Sequence, residues 1–351
     1  MRAASRFASQ LVTWFRVNKR DLPWRCTRDP YAIWVSEVML QQTQVKTVIP
    51  YWERWMRELP TIQSLARIKP ERVLKLWEGL GYYSRARNLQ KAAQQIVAKH
   101  GGIFPNSYEA ILELPGIGRY TAGAIGSIAF GLPTPIVDGN VARVRTRYLG
   151  LRGDPKSRET SAALWESAEK LVSAAREQNA CRELNEGLME LGATICLPNQ
   201  PNCGVCPVSS RCFAFKNDAT ARFPEVARRK KSETRIFRAA LITVGDKILL
   251  RQREDGSVNG GFWELPNLEA KGESPSESLH LLVGKPKFNF TRLCDVKHTI
   301  MNHRITTEVF ALYGAGAEVG KLFGVSNLNA MPLVSAHRKA LVKLGYLKSL
   351  T

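Results

Sequence analysis

The sequence predicts a mainly α-helical protein with a separate α+β domain at its C-terminal end. Three observations predict it. Apolar residues recur every three to four positions from residue 5 to about 215, the pattern turns strand-like after residue 235, and four cysteines crowd between residues 196 and 212. At 351 residues the chain exceeds one typical domain, so two domains are expected.

The first twenty residues are Arg-rich and acid-poor, as a transit peptide is. They also set Phe7, Leu11, Trp14 and Phe15 on one helical face, which suits a docked helix. Further amphipathic stretches follow: Ile33-Trp34-Val38 running into Val45-Val48-Ile49, then Val73-Leu74-Trp77, then Leu89-Ala92-Ala93-Ile96. This grammar predicts a helical domain over 1–215. A basic linker over 216–234 contains Arg228-Arg229-Lys230-Lys231, and the α+β domain spans 235–351. In the last, Arg238 to Val244 and Lys247 to Leu250 read as two strands joined at Gly245-Asp246, and Ile305 to Leu312 as another.

Composition narrows the partners. Hydrophobic residues make up 44% of the chain, enough for a substantial core. Lys and Arg number 51 against 31 Asp and Glu, a net charge of +20. A field of that sign attracts polyanions and points to nucleic acid; a merely basic protein is the plainer alternative. No run of about 18 apolar residues occurs, so no membrane span is expected.

Seven cysteines are too few for a disulfide scaffold in a chain this long. Cys196, Cys203, Cys206 and Cys212 follow C-x6-C-x2-C-x5-C. Soft sulfur ligands select zinc or an iron–sulfur cluster, and only the central pair has the close spacing of a zinc knuckle. Cys26, Cys181 and Cys294 read as small core residues or free thiols.

Two segments carry candidate chemistry. Pro115-Gly116-Ile117-Gly118 lies between helical patterns, where glycines permit positive φ and close approach of backbone N–H groups to an anion. Twenty residues on, Asp138 interrupts the apolar run Pro135-Ile136-Val137 ahead of Gly139-Asn140-Val141-Ala142-Arg143. An acid there is paired, an N-cap, or poised for chemistry. Glu37 lies among Trp34, Val38 and Leu40, a setting that raises a carboxyl pKa and keeps it protonated; an exposed glutamate near a helix start is the alternative.

The helix-L-P-G-I-G-R-helix element, the V-D-G-N-V-x-R segment, the string Trp34-Val35-Ser36-Glu37-Val38-Met39-Leu40-Gln41-Gln42-Thr43-Gln44-Val45 and the unequal cysteine spacing together resemble the MutY family of helix-hairpin-helix DNA glycosylases, relatives of endonuclease III. The resemblance covers nearly the whole chain. It implies a two-lobed helical glycosylase domain with a [4Fe-4S] loop held by Cys196, Cys203, Cys206 and Cys212, plus a C-terminal Nudix-like domain. It implies a monomeric, cytoplasmic, nucleoid-associated base excision enzyme, with no membrane partner, that removes adenine from A:8-oxoguanine or A:G mispairs in double-stranded DNA.

Residue by residue, the resemblance makes Glu37 the general acid that protonates adenine N7 and Asp138 the carboxylate facing the developing sugar cation. Tyr120 and Asn140 then position the sugar and Asp138. Tyr120 stands where endonuclease III-like enzymes place a Schiff-base lysine, so the resemblance implies a monofunctional enzyme. Gln42 enters the duplex beside the lesion, Gly116 and Gly118 grip a phosphate, and Arg25 and Glu186 line the pocket. Tyr82, in Gly79-Leu80-Gly81-Tyr82-Tyr83, falls on the wedge that reaches 8-oxoguanine; otherwise it packs the turn.

Gly260-Gly261-Phe262-Trp263-Glu264-Leu265-Pro266 resembles a Nudix segment, but residues 272–280 lack the acid cluster that binds divalent metal in Nudix hydrolases. Ile300, Met301 and Asn302 occupy the positions where the family has Phe, Ser and His in its lesion-contacting loop, a departure in the part that discriminates oxidised guanine. His298 reads as a structural hydrogen bonder rather than a catalyst.

Overall fold

A computed structural model describes residues 2–226, 232–254, 256–284, 289–300, 302–313 and 320–348. The basic run Arg228 to Lys231 and Met301 lie outside them. The chain forms two compact units. One joins Met1–Arg67 to Asn88–Arg228, and the other joins Ile68–Arg87 to Arg229–Thr351. The segment Ile68–Arg87, which the sequence pattern assigns to the helical domain, thus groups with the C-terminal unit.

The helices in chain order are α1 (Arg2–Asn18), α2 (Pro30–Leu40), α3 (Val45–Glu58), α4 (Ile62–Arg67), α5 (Pro70–Trp77), α6 (Ser84–His100), α7 (Tyr108–Leu112), α8 (Arg119–Phe130), α9 (Gly139–Leu149), α10 (Arg158–Arg176) and α11 (Cys181–Thr194). The first unit packs its main core from α1, α2 and α8 to α11. Phe7, Leu11 and Phe15 of α1 are buried, so Arg2–Asn18 forms a docked helix. α2 is buried from Tyr31 to Met39, a helix apolar nearly all round. After α11 the chain passes through the four cysteines to α12 (Phe213–Lys216).

The two ends of the α8–α9 connection position Asp138. α8 starts at the glycine turn and ends at Gly131, whose φ of 68° suits a residue without Cβ. Residues 132–138 then pass along α8, where Gly123 closes against Pro135 and its carbonyl accepts the Thr134 hydroxyl at 2.8 Å. This packing delivers Asp138 to the start of α9.

In the second unit, β1 (Glu233–Leu241) is central to a sheet ordered β5-β1-β7-β6, with β5 (Asn267–Glu269), β6 (Asn289–Ile300) and β7 (His303–Tyr313). β1 runs parallel to β7, and β6 pairs antiparallel with β7 through a hairpin. A second sheet joins β2 (Thr243–Val244), β3 (Lys247–Gln252), β4 (Trp263–Glu264) and β8 (Lys321–Gly324). The β2–β3 hairpin turns at Gly245, as its sequence predicts. Helices α13 (Pro275–Val283) and α14 (Ser335–Lys343) complete the unit. α14 covers Ala239, Cys294, Val296 and Val309, while α13 packs on the opposite face, against Ala240 and Phe310. Among the described residues no helix is long and apolar enough to cross a membrane.

A Cβ on Gly123 would run into the Pro135 carbonyl oxygen. Gly123→Ala is therefore expected to cost about 1–3 kcal/mol as an overpacked site. Thermal melting should show a transition several degrees lower, and an unchanged midpoint would mean that this contact is not tight.

Candidate active site

The site is built on three helix ends and one buried helix. Asp29 caps α2, its carboxylate accepting the Tyr31 and Ala32 N–H groups at 3.1 and 3.3 Å, with Pro30 in the first helical position. Two turns along this apolar helix lies Glu37, only 5% exposed. From α8, Tyr120 donates its hydroxyl to Glu37 Oε2 at 2.7 Å, and the Tyr120 oxygen lies 3.1 Å from Met189 Sδ on α11.

Asp138 is the N-cap of α9. Its Oδ1 accepts the Val141 N–H at 2.7 Å and its Oδ2 accepts the Asn140 Nδ2 at 3.1 Å. The Asn140 amide is itself oriented, because its Oδ1 accepts Arg143 Nη2 at 2.8 Å. Arg143 also donates to the Gly192 and Cys196 carbonyls, each at 2.7 Å, and so ties the start of α9 to the end of α11. Gly192 permits that approach: a Cβ there would stand 2.5 Å from Asn140 Cβ.

Glu37 and Asp138 open onto one cavity of about 540 Å³, with Tyr120, Asn140, Arg25 and Glu186 also in its walls. That volume suits a small ligand. The protonation pattern is unequal. Burial pushes Glu37 up to about 7, helped by repulsion from Asp138 and Glu186 and opposed by Tyr120 and Arg25. Burial also raises Asp138, opposed by three N–H donors (the Val141 backbone and the Asn140 backbone and side chain) and by the Arg143 charge, all of which favour its anion.

Behind these groups α11 supplies a second pair of acids, one helical turn apart. Glu186 accepts Arg182 Nε at 3.1 Å, and burial raises its pKa. Glu190 is fully buried. Burial alone would raise its carboxyl, yet bonds from Arg20 (backbone N, Nε and Nη2) and from Arg25 Nη2 hold it down to about 2. The sequence points to Arg25 and Glu186 but not to Arg20, Glu190 or Met189. The i, i+4 spacing of Glu186 and Glu190 on one helix was the signal that both acids share a face.

The remaining predicted residues are spread over both units. Gly116 has a φ of 77° and closes on Asn88, whereas Gly118 is extended at −100° and caps α8 with open space around it. Positive φ is thus required at one of the two glycines, not both. Gln42 lines the cavity with a φ of 57°. Tyr82, in the second unit, has a φ of 48° and is 47% exposed beside Gly81. Non-glycine residues are uncommon in that region. The Arg85 guanidinium lies 5.6 Å from the Tyr82 ring centroid. Ile300 and Asn302 sit at the tip of the β6–β7 hairpin, where the Asn302 carbonyl accepts the Glu233 N–H at 2.9 Å.

Cys196, Cys203, Cys206 and Cys212 face one another closely enough to interact electrostatically. Burial raises the pKa of Cys206 to about 12, and the other three thiols add to it. Backbone N–H groups of Val208, Ala214 and Phe215 are directed at the sulfurs of Cys206 and Cys212. Arg147 donates to the Leu197 and Pro198 carbonyls at 2.6 and 2.9 Å and to Cys196 Sγ at 3.4 Å. Among the described residues no three His, Cys, Asp or Glu side chains converge closely enough for a single metal ion.

Fold and site together define a helix-hairpin-helix base excision repair protein with a Nudix domain. Residues 35–170 match the HhH-GPD superfamily of base excision DNA repair proteins, and residues 238–343 match the NUDIX domain. The chain is 38% identical to an adenine DNA glycosylase of Rattus norvegicus, over 87% of this chain and 70% of that protein. It is 37% identical to the Homo sapiens adenine DNA glycosylase, over 87% and 66%. The chain belongs to the adenine DNA glycosylase family. Among solved structures it is similar to a thermostable thymine-DNA glycosylase (TM-score 0.55, 34% identity, 61% of this chain and 97% of that one). It shares its fold with endonuclease III in a DNA complex (TM-score 0.51, 23% identity, 60% and 94%).

A carboxyl whose pKa rises on folding stabilises the protein fully only below its unfolded value, near 4.5, and withdraws that contribution as pH rises towards 7. Glu37→Gln removes the titration. Its stability relative to wild type should grow from pH 5 to 8, by on the order of 3 kcal/mol. Melting curves at several pH values measure this, and a gap independent of pH would show that Glu37 is not raised.

Proposed function

We propose that the protein is a monomeric, monofunctional glycosylase that hydrolyses the N-glycosidic bond of adenine mispaired with 8-oxoguanine or guanine in duplex DNA. One observation carries the reading: Glu37 and Asp138 open onto a single cavity, Glu37 bonded by one phenolic hydroxyl and Asp138 by N–H donors at a helix N-terminus. Adenine inside a duplex is inaccessible, so its nucleotide must first be extruded.

The neutral Glu37 then donates its proton to adenine N7, so the base leaves as a neutral molecule when the C1′–N9 bond breaks. Positive charge grows on the sugar, and the Asp138 carboxylate, fixed by Val141 and Asn140, stabilises it. Water adds to C1′ and gives up a proton, leaving an abasic site. Paired carboxyl groups with opposed protonation serve O-glycosidases in the same way. Tyr120 orients the acid, and Arg25 and Glu186 line the wall that meets the base. Among the described residues the cavity walls hold no lysine, which supports hydrolysis without a Schiff base.

Gly116 and Gly118 offer backbone N–H groups to a phosphate, Gln42 enters the duplex, and Tyr82 stacks at the lesion. Ile300 and Asn302, with Met301 between them, contact the oxidised guanine from the hairpin tip. Cys196, Cys203, Cys206 and Cys212 would hold a [4Fe-4S] cluster; four neighbouring thiols, two of them (Cys206 and Cys212) with backbone N–H groups directed at their sulfurs, fit that group. The cluster supplies a cross-link that stiffens residues 196–212, next to the Arg143 anchor of Asn140.

Glu37→Gln and Asp138→Asn should bind a duplex with A opposite 8-oxoguanine yet lose at least about a hundredfold in base release, as removal of a general acid or a charge stabiliser does. Single-turnover assays on A:8-oxoguanine, A:G and T:G duplexes measure this. Normal turnover by either variant, or preferred release of thymine, would overturn the assignment. Wild-type release should fall as pH rises above about 7, and borohydride should trap no covalent adduct. Iron and sulfide analysis should find both elements, and their replacement by zinc would refute the cluster.

A further inference from the structure

Arg25 and Glu186 line two cavities, the one that holds Glu37 and Asp138 and a second of about 220 Å³. Three stretches of the first unit meet at the second one. Arg16 and Lys19 come from the end of α1 and the turn after it, Arg28 from the segment before α2, and Arg182 and Glu183 from the first turn of α11. Small-molecule sites begin at roughly 300 Å³, so this cavity suits a compact group rather than a nucleoside.

Its lining concentrates positive charge. Five cations, Arg16, Lys19, Arg25, Arg28 and Arg182, face two acids, Glu183 and Glu186. Burial raises the pKa of Glu186, which makes it a poorer counter-charge. Two of the cations are fixed by other bonds. Arg25 lies 5.3 Å from the Phe15 ring centroid and donates to Glu190 at 2.7 Å. Arg182 donates to the Arg25 and Thr27 carbonyls at 2.9 and 3.3 Å, as well as to Glu186. Arg16 stands at a loose 3.7 Å from Glu183. Among the described residues no ion pair engages Lys19 or Arg28, and both side chains are exposed.

Lysines and arginines on a surface ordinarily spread their charge into solvent. Here they converge on one concavity from segments far apart in the chain, and like charges so gathered repel until an anion joins them. α11 adds to the field. Its N-cap, Ala180, has no side chain that can accept a hydrogen bond, so no side-chain acceptor offsets the positive end of the helix beside Arg182 and Glu183.

We propose that this second cavity is an oxyanion site that takes a phosphate group, with Lys19 and Arg28 closing on it against the fixed Arg25 and Arg182. Guanidinium forks meet phosphate oxygens in pairs, and the lysine adds a movable point charge. Glu183 is a weak competitor, because its pair with Arg16 is long and partly solvated. The phosphate belongs either to a DNA backbone or to free phosphate and pyrophosphate. The inference stands apart from the glycosylase reading, because anion binding is measured without base release.

Calorimetric titration of the full chain at low ionic strength with inorganic phosphate, and then with pyrophosphate, should show saturable one-site binding, pyrophosphate the tighter. Lys19→Ala and, separately, Arg28→Ala should each weaken it about fivefold. Lys19→Arg should retain it, and so should Lys99→Ala, which removes an exposed charge from α6. Both alanine changes are at exposed positions, so melting midpoints should match wild type and separate lost binding from lost fold. If the two variants lower the slope of log duplex affinity against log salt by about one, the phosphate is that of the DNA backbone; if the slope is unchanged, it is free phosphate. Absence of saturable binding of either anion up to about 10 mM, equal binding by wild type and both alanine variants, or an equal loss in Lys99→Ala would each overturn the proposal.

Discussion

Two carboxyl groups in one water-poor cavity cannot both be charged without large cost, and the first unit is arranged around that constraint. The tie is broken by hydrogen-bond donors. Asp138 receives a helix N-terminal N–H and an amide N–H, whereas Glu37 receives a single phenolic hydroxyl. Donors of the first kind favour an anion and are backed by the positive end of α9. The hydroxyl of Tyr120 can also turn to accept a proton from a neutral acid, so it tolerates either state of Glu37. The asymmetry of the site thus comes from where two helices begin and which one is buried, before any substrate is present.

Keeping Asp138 charged requires more than its own cap. Asn140 must present its amide nitrogen, and Arg143 sets that orientation by claiming the amide oxygen. Arg143 is in turn fixed by two carbonyls at the end of α11, across a contact that only glycine at 192 allows. The second acid pair works in the opposite direction. Arg25, which also donates to Glu190, carries a positive charge that limits how far burial can raise Glu37. A carboxyl near 7 donates a proton readily at neutral pH, whereas one raised further would hold it too firmly.

Much of this was legible in the residues. Helical periodicity located α1, the apolar run before Asp138 marked a cap, and the apolar neighbours of Glu37 implied a raised acid, whereas α2, expected to be amphipathic, is buried on every face. What escaped the sequence depends on contacts distant in the chain. The Arg20–Glu190 bond joins residues 170 positions apart, and nothing local signals it. Left-handed backbone at Gln42 and Tyr82 was equally hidden, since neither residue type requires it. β6 was missed because its outer half is exposed and lacks clean alternation, and its pairing with β7 decides its conformation. The grouping of Ile68–Arg87 with the C-terminal unit was invisible for the same reason. Glu78 there accepts Arg338 Nε and the Leu333 N–H, partners more than 250 residues away.

The C-terminal unit shows how a fold can keep a cavity while its chemistry changes. Phosphate transfer needs uncompensated charge, either acids that hold a metal or cations that meet the phosphate oxygens. Here Glu264, Arg253 and Arg235 at the cavity rim already have partners, and the acids nearest the cluster position serve as turn and helix caps. Aromatic and aliphatic faces remain on its walls, with the His298 and His337 side chains among the lining residues.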